Sequence, residues 1–398
     1  MHQKNMAGLG MGARCPMGGG NNIGNGDGGG IAIDTGGGDI GDIGVGIGGG
    51  GGVCDPAACD SQCPAGSTCS SGACKCASFQ PQATFGTGAL PHGVAVGDFN
   101  GDGHLDIVAA NTGDNSVSVL LSTGSGTFQP QVTFGTGSEP RGVAVGDFNG
   151  DGHLDIVAAN YNGATVSVLL GTGSGSFQPQ VSFGVGDLPY GVAVGDFNGD
   201  GHLDIVAANT GDNTVSVLLG TGSGNFLVQA TFSVGSTPDD VAVGDFNGDG
   251  HLDIVAANTG GNSPGWVAVG DFNGDGHLDI VTSNFQDDTV SVLLGTGSGT
   301  FQAQVIFPVG DAPHDVAVGD FNGDGYLDIV TTNIFGNTVS VLLGTGSGTF
   351  LTQATFSVGS SPDGVAVGDF NGDGYLDIVA ANLDGNSVSV LLGKPCGA

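Results

Sequence analysis

Seven copies of the string Gly-Asp-Phe-Asn-Gly-Asp-Gly occur in the sequence, and each is followed after one residue by Leu-Asp, giving a nine-residue loop Asp-x-Asn-x-Asp-Gly-x-Leu-Asp. A hard divalent cation needs several oxygen ligands converging from a short, sharply turned backbone, and this loop has the residue types and spacing to supply them. Position 1 is Asp98, Asp147, Asp196, Asp245, Asp271, Asp320 and Asp369; position 3 is Asn100, Asn149, Asn198, Asn247, Asn273, Asn322 and Asn371. Position 5 is Asp102, Asp151, Asp200, Asp249, Asp275, Asp324 and Asp373, and position 9 is Asp106, Asp155, Asp204, Asp253, Asp279, Asp328 and Asp377. Position 7, which offers its backbone carbonyl, is His104, His153, His202, His251, His277, Tyr326 and Tyr375. The interchange of His with Tyr there argues against a transition-metal site. The loop lacks the Glu at position 12 of an EF-hand, where the first copy has Ala109. Asp, Asn and Gly also make ordinary turns, but seven copies that all keep the Asp at position 9 favour ligands, for up to seven Ca2+.

The elements that must hold these loops are legible in the flanks. Gly-Val-Ala-Val-Gly before each loop and Leu-Asp-Ile-Val after it are short β-branched runs without helical spacing, so the loop joins two strands. The first aspartates are spaced 49, 49, 49, 26, 49 and 49 residues apart, the mark of a repeat architecture. The second full copy offers four strands: D (131–134), A (142–147), B (154–159) and C (165–170). An all-β fold follows, a β-propeller of four-stranded blades. The small residues of strand A suit the crowded axis, and the outer strand D carries Phe134, Phe183 and Phe232. The chain enters on a D-type strand at 82–85 and leaves on a C-type strand at 387–392, so the N-terminal strand is expected to complete the last blade and close the ring. The 26-residue interval omits one C and one D strand. Six or seven blades, one of them truncated, are both compatible with that count.

The run from Gly93 to Gly103, Phe85-Gly86 and Leu105 to Ala110, recurring with small changes over roughly residues 79–393, resembles the FG-GAP or VCBS-type repeat. That repeat builds the calcium-binding propeller of integrin α subunits and many bacterial surface proteins. The resemblance implies calcium bound by the loop aspartates between strands A and B, and a role in adhesion or ligand binding.

The copies are nearly identical in the A–B and C–D loops, which lie at one end of the blades, and diverge at the other. There the D–A connectors present His92, Arg141, Tyr190, Asp239, His314 and Asp363, with Trp266 in the short copy; the B–C loops present Thr112, Tyr161, Thr210, Phe285, Ile334 and Leu383. This end is the expected binding face for a protein or glycan, since loops on a rigid frame commonly carry function. Replacing Tyr190, Trp266 and Phe285 together is expected to abolish binding with little change in Tm. A catalytic site would need paired carboxylates or a His with a nucleophile. Asp239, Asp240, Asp315 and His314 are the only set available, and a non-enzymatic module is expected. A lectin, the propeller of a secreted carbohydrate-active enzyme, and a structural spacer are the alternatives.

Net charge is −34, from 39 acidic and 5 basic residues; the seven loops hold 21 of the acids, and seven calcium ions would leave −20. Self-repulsion in the empty protein would be relieved by the cation. Only Arg141 is basic between Ser78 and Gly393, which excludes nucleic acid and anionic membrane as partners. No membrane span is expected, and the protein is read as a monomer. Residues 1–17 are unassigned, and residues 18–53 read as a Gly-rich linker. Residues 54–77 read as a Cys-rich, EGF-like knob with Cys54, Cys59, Cys63, Cys69, Cys74 and Cys76 in three disulfides, zinc being the alternative. Residues 78–394 are the propeller and 395–398 a tail; Cys15 and Cys396 are unassigned. Disulfides and weak calcium loops imply a secreted or cell-surface protein. Residues 1–17 contain Lys4 and Arg14 but no apolar run of signal-peptide length, so the start is read as truncated or misassigned.

Overall fold

A computed structural model describes residues 67–70, 73–228, 230–260 and 265–395. The Gly-rich linker, Cys15, Cys54, Cys59, Cys63 and Cys396 lie outside the described residues. Ser67–Ser70 and Ala73–Cys76 form an antiparallel hairpin, and Cys76 is disulfide-bonded.

In the second repeat, Pro140–Gly146, Asp155–Asn160, Thr165–Leu169 and Val181–Gly184 form one antiparallel sheet in the order A, B, C, D. Strand A starts two residues earlier than its β-branched run suggests. The pairing slips between Pro140 and Val143 and resumes with Pro140 opposite Asn160, a β-bulge that carries the strand past Gly142. Strand B is buried on both faces: Ile107, Val108, Ala109 and Ala110 are all at 0% exposure, because neighbouring blades cover each side. The A–B loop turns through Gly101 at φ +75° and Gly103 at φ +85°, conformations that favour glycine.

Among the described residues there are six sheets of this kind. The last joins Pro362–Gly368, Asp377–Asn382 and Ser387–Leu391 to the N-terminal strand Ala83–Gly86, with Ser387 opposite Gly86 and Val390 opposite Ala83. The expected closure is therefore the one adopted. The short copy forms a two-stranded sheet, Pro238–Gly244 with Asp253–Asn258.

That hairpin occupies a position of its own in the ring. The glycine ending each strand A faces the position-8 leucine of the next copy: Gly97 with Leu154, Gly146 with Leu203, Gly195 with Leu252, Gly244 with Leu278, Gly270 with Leu327, Gly319 with Leu376, and Gly368 with Leu105. A Cβ at any of these glycines would lie 2.4–2.6 Å from the leucine Cδ1. The cycle has seven members and passes through the hairpin twice, so the ring has seven positions, six filled by four-stranded blades and one by two strands. A series of aromatic contacts runs beside it, interrupted at Phe197: Phe99 meets Phe177 and Phe148 meets Phe226, each with ring centroids 5.6 Å apart and edge-on.

Nearer the axis, strand A glycines pack directly on the neighbouring backbone. A Cβ on Gly142 would lie 2.4 Å from the carbonyl oxygen of Tyr190, which cannot yield as a side chain can. Gly142→Ala is expected to lower stability by about 1–3 kcal/mol. Gly135→Ala, where a Cβ meets nothing within 4 Å, is expected to leave Tm nearly unchanged. Thermal unfolding of the two variants side by side checks this.

Candidate functional site

The seven acidic loops share one arrangement. Asp98 accepts backbone N–H bonds from Gly101 (2.7 Å) and Asp102 (3.2 Å) on Oδ1 and from Gly103 (2.8 Å) on Oδ2. Asn100 Oδ1 accepts from Asp102 N (2.9 Å), and Asp102 Oδ1 from His104 N (2.9 Å). Position 1 is half-buried in every loop, position 3 ranges from exposed to the buried Asn322, and position 5 is exposed in all loops but one, where Asp324 is half-buried. The same donors hold Asp245 below the usual carboxylate range, the Gly250 N–H first among the causes, and Asp200 and Asp275 are likewise lowered by the N–H of position 7.

Position 9 behaves differently. Asp106 is fully buried; its Oδ2 accepts Phe99 N (2.9 Å) and its Oδ1 accepts Ser122 N (2.7 Å), which staples the A–B loop to the start of the C–D loop. Burial pushes Asp106 and Asp155 up to about 6, Asp377 to about 7 and Asp328 to about 8, against their backbone donors. As they stand, no three His, Cys, Asp or Glu side chains among the described residues are grouped to hold a metal ion. The donor set itself, all oxygen and strongly anionic on a two-glycine turn, suits a hard cation. The position-7 rings lie against the C–D loop glycine of their own blade: a Cβ on Gly173 would be 2.3 Å from His153 Cε1.

At the opposite end the bulges at the start of strand A bring variable residues to the axis. Asp363, 2% exposed, lies with Oδ1 3.2 Å from His92 Nδ1 and 3.4 Å from His314 Nδ1. Trp266 Nε1 donates to His314 Nε2 (3.3 Å), which places the hydrogen of a neutral His314 on Nδ1, facing Asp363. Burial alone would raise Asp363; the two histidines outweigh it and hold the carboxyl below its ordinary value. Burial pushes His314 down despite Asp363. Arg141 stacks over Tyr161 at 3.9 Å and Tyr190 at 4.7 Å. Tyr190 stands edge-on to Trp266 (5.6 Å), Tyr161 (5.9 Å) and His92 (6.4 Å). Burial first, then the Asp363 charge, raises the Tyr190 hydroxyl.

Beside this stack a cavity of about 250 Å³ is lined by Asp239, Thr259, Gly265, Trp266, Phe285, Gln286 and His314. Phe285 packs on His314 (6.2 Å) and Phe335 (5.8 Å). Asp239 accepts Thr210 Oγ1 (3.3 Å) and is raised by burial. Of the residues expected at this face, His92, Arg141, Tyr161, Tyr190, Asp239, Trp266, Phe285, His314 and Asp363 come together. Ile334 and Leu383 do not join the stack; their backbone N–H groups donate to Ala312 O and Ser361 O, tying B–C turns to connectors. The expectation that Tyr190 and Trp266 are dispensable for stability is corrected: they are 9% and 7% exposed and form part of a core cluster with Phe272 and Val281. Trp266 also stands in register with Gly93 rather than His92, since Val267 pairs as Val94 does one residue later. Gln286, Thr259 and Phe335 were not foreseen; their only signal was a place beside the short copy or a divergent turn.

Asp240 and Asp315 fill a position that is glycine in four other copies. Asp240 Oδ2 accepts Val267 N (3.1 Å), and Asp315 accepts Val365 N (2.7 Å) on Oδ2 and Val316 N (2.7 Å) on Oδ1, so both cap strand backbone. Among the described residues no helix is long and apolar enough to cross a membrane.

The family described as FG-GAP-like repeat matches residues 98–158, 147–207, 196–256, 271–331 and 332–380. No curated protein matches the chain in sequence. Among solved structures, BBS1N in complex with ARL6DN is similar at 12% identity and TM-score 0.58, over 81% of this chain and 98% of that one. A catalytically inactive virginiamycin B lyase of Staphylococcus aureus with quinupristin is similar at 14% identity and TM-score 0.54, over 79% and 99%. An Agrocybe aegerita lectin that recognises non-reducing terminal N-acetylglucosamine reaches 21% identity and TM-score 0.49, over 77% and 96%. The first two likenesses speak for the propeller fold.

Burial, with Asp239 adding to it, raises Asp240 to about 7 from 3.8. A raised carboxyl contributes stability that is complete below 3.8 and is lost as pH climbs through 7. Asp240→Asn removes that loss. The variant is expected to gain on the parent by about 2–4 kcal/mol between pH 4 and pH 8, measured as the difference in Tm at the two ends of the range.

Proposed function

We propose that this chain, which belongs to the FG-GAP-like repeat family, is a non-enzymatic ligand-binding module of the cell exterior that takes a glycan or protein group at its axial mouth and calcium in its loops. The observation that carries the reading is the convergence, at one end of a nearly repetitive ring, of the side chains in which the copies differ, beside a cavity of about 250 Å³. The cavity has the size of a single sugar ring or one protein side chain. Phe285 and the indole of Trp266 give it apolar walls, and Asp239, Gln286 and Thr259 give it polar partners, a combination suited to hydroxyl groups on an apolar ring.

The carboxylates near the axis support binding rather than catalysis. Asp240 and Asp315 hold strand N–H groups, and Asp363 lies buried between two histidines. For the loops, Asp98, Asn100 and Asp102 and their counterparts are the residues that would hold the cation, with position 9 fixing the loop from beneath. Calcium would neutralise charge on a protein at −34 and tie positions 1, 3 and 5 together.

Phe285→Ala combined with Gln286→Ala is expected to weaken binding on a glycan array or to a captured protein ligand at least tenfold, with little change in Tm because both side chains lie at the rim. Unaltered binding would remove the mouth from the reading. For the loops, several millimolar calcium against excess chelator at matched ionic strength is expected to raise Tm. Sites of ~10⁻⁴ to 10⁻³ M affinity contribute about 1–2 kcal/mol each under those conditions. An unchanged Tm would leave the aspartates as turn residues.

A further inference from the structure

In the six full blades, strand B is covered along its outer edge by strand C, and the asparagine ending strand B donates to hydroxyls of that strand. Asn209 Nδ2, for example, reaches Thr214 Oγ1 (3.0 Å) and Ser216 Oγ (2.8 Å). In the two-stranded position no strand among the described residues pairs with the outer edge of Asp253–Asn258. Asn258 turns its Nδ2 back to the carbonyl of Ala256 in its own strand (3.1 Å). Asp253 accepts Phe246 N (3.1 Å), whereas Asp204 accepts both Phe197 N (2.9 Å) and the loop N–H of Gly220 (2.7 Å). Ile254, Val255 and Ala256 are half-exposed, where their counterparts Ile107, Val108 and Ala109 are at 0%.

The wall of the preceding blade is unfinished at the same place. Phe232 is 55% exposed, while the other outer-strand phenylalanines, such as Phe134 and Phe183, are partly buried against the loop phenylalanine of the next blade. Phe197, the counterpart of Phe99 and Phe148, has no ring partner among the described residues, because the loop that would bring one is absent. The seven residues from Thr259 to Gly265 are too few to supply a turn and a five-residue strand. Backbone edge, hydroxyl partner and aromatic contact are thus missing as one unit.

We infer that the outer edge of Asp253–Asn258 accepts an extended strand from another polypeptide. The six complete blades specify its chemistry: Thr/Ser-Val-Ser-Val-Leu in antiparallel register, Leu opposite Ile and Val opposite Val, followed by an aromatic residue for the gap between Phe197 and Phe232. The walls of that gap are Val, Leu and Phe on a protein of charge −34, so an acidic strand is rejected and an uncharged or basic one admitted. Main-chain bonds give the affinity and the alternating pockets the selectivity, as in strand addition generally.

The test uses the full chain and a fluorescent peptide with the sequence of residues 289–308, Thr-Val-Ser-Val-Leu through Pro, followed by anisotropy, with a scrambled peptide as control. Saturable binding at least tenfold tighter than the control is expected. Phe232→Glu, which alters an exposed side chain, is expected to weaken it at least tenfold with Tm unchanged. Insertion of the 285–308 sequence after Asn258, which builds the missing strands into the chain, is expected to eliminate peptide binding and raise Tm. Absence of saturable binding, or binding that survives both changes, overturns the inference. A dimer that the peptide dissociates overturns it in another way, by giving the edge to a second copy of this chain.

Discussion

The ring rests on a side chain entering a space that only glycine leaves open. Leucine at position 8 of each acidic loop sits against the glycine that ends strand A of the preceding copy, and any Cβ there would overlap it. The interior of a propeller is close-packed, so a joint of this kind tolerates no partial occupancy. Next to the leucine, the buried aspartate at position 9 binds the first N–H of the C–D loop. The nine-residue motif is therefore two devices in one stretch of chain. Its first half faces water and presents oxygen; its second half locks one blade to another and one loop to the next.

Much of this was legible in sequence, and the reasons are specific. Strand type followed from Val-Ala-Val and Ile-Val-Ala runs, and closure from the strand types at the two ends. The place of the short copy was not legible, because nothing in its residues says whether Leu252 and Leu278 find glycines on either side; they do. The acidic loop was read as uniform, whereas burial separates position 9 from positions 1, 3 and 5. The variable face was identified but read as loop tips. The bulge after the connector proline folds Tyr190 inward, and Trp266, in a copy without a bulge, joins the same core cluster; the free rim passed to Phe285, Gln286 and Phe335.

Charge is disposed by the same logic. The loop carboxylates at positions 1 and 5 sit where backbone N–H groups converge and water is near, whereas six of the seven at position 9 are buried. Those at the axis are fewer and each has a stated partner: two imidazoles for Asp363, strand N–H groups for Asp240 and Asp315. The one arginine of the ring lies over the faces of Tyr161 and Tyr190, with its Nε buried among them.

The leucine–glycine joints are chemically the same at all seven places. A joint that does not distinguish its partners gives the ring no means of checking how many copies it contains, or in what order; chain connectivity alone supplies both. Such a ring is open to change in number. Half a unit has only to bring its own leucine and its own glycine to be admitted, as Leu252 and Gly244 are, and no new interface has to arise for the circle to close around it. The interchangeability that lets near-identical repeats assemble is thus the property that lets one of them be cut short, and variety in such proteins has an inexhaustible source in the slippage of their own repetition.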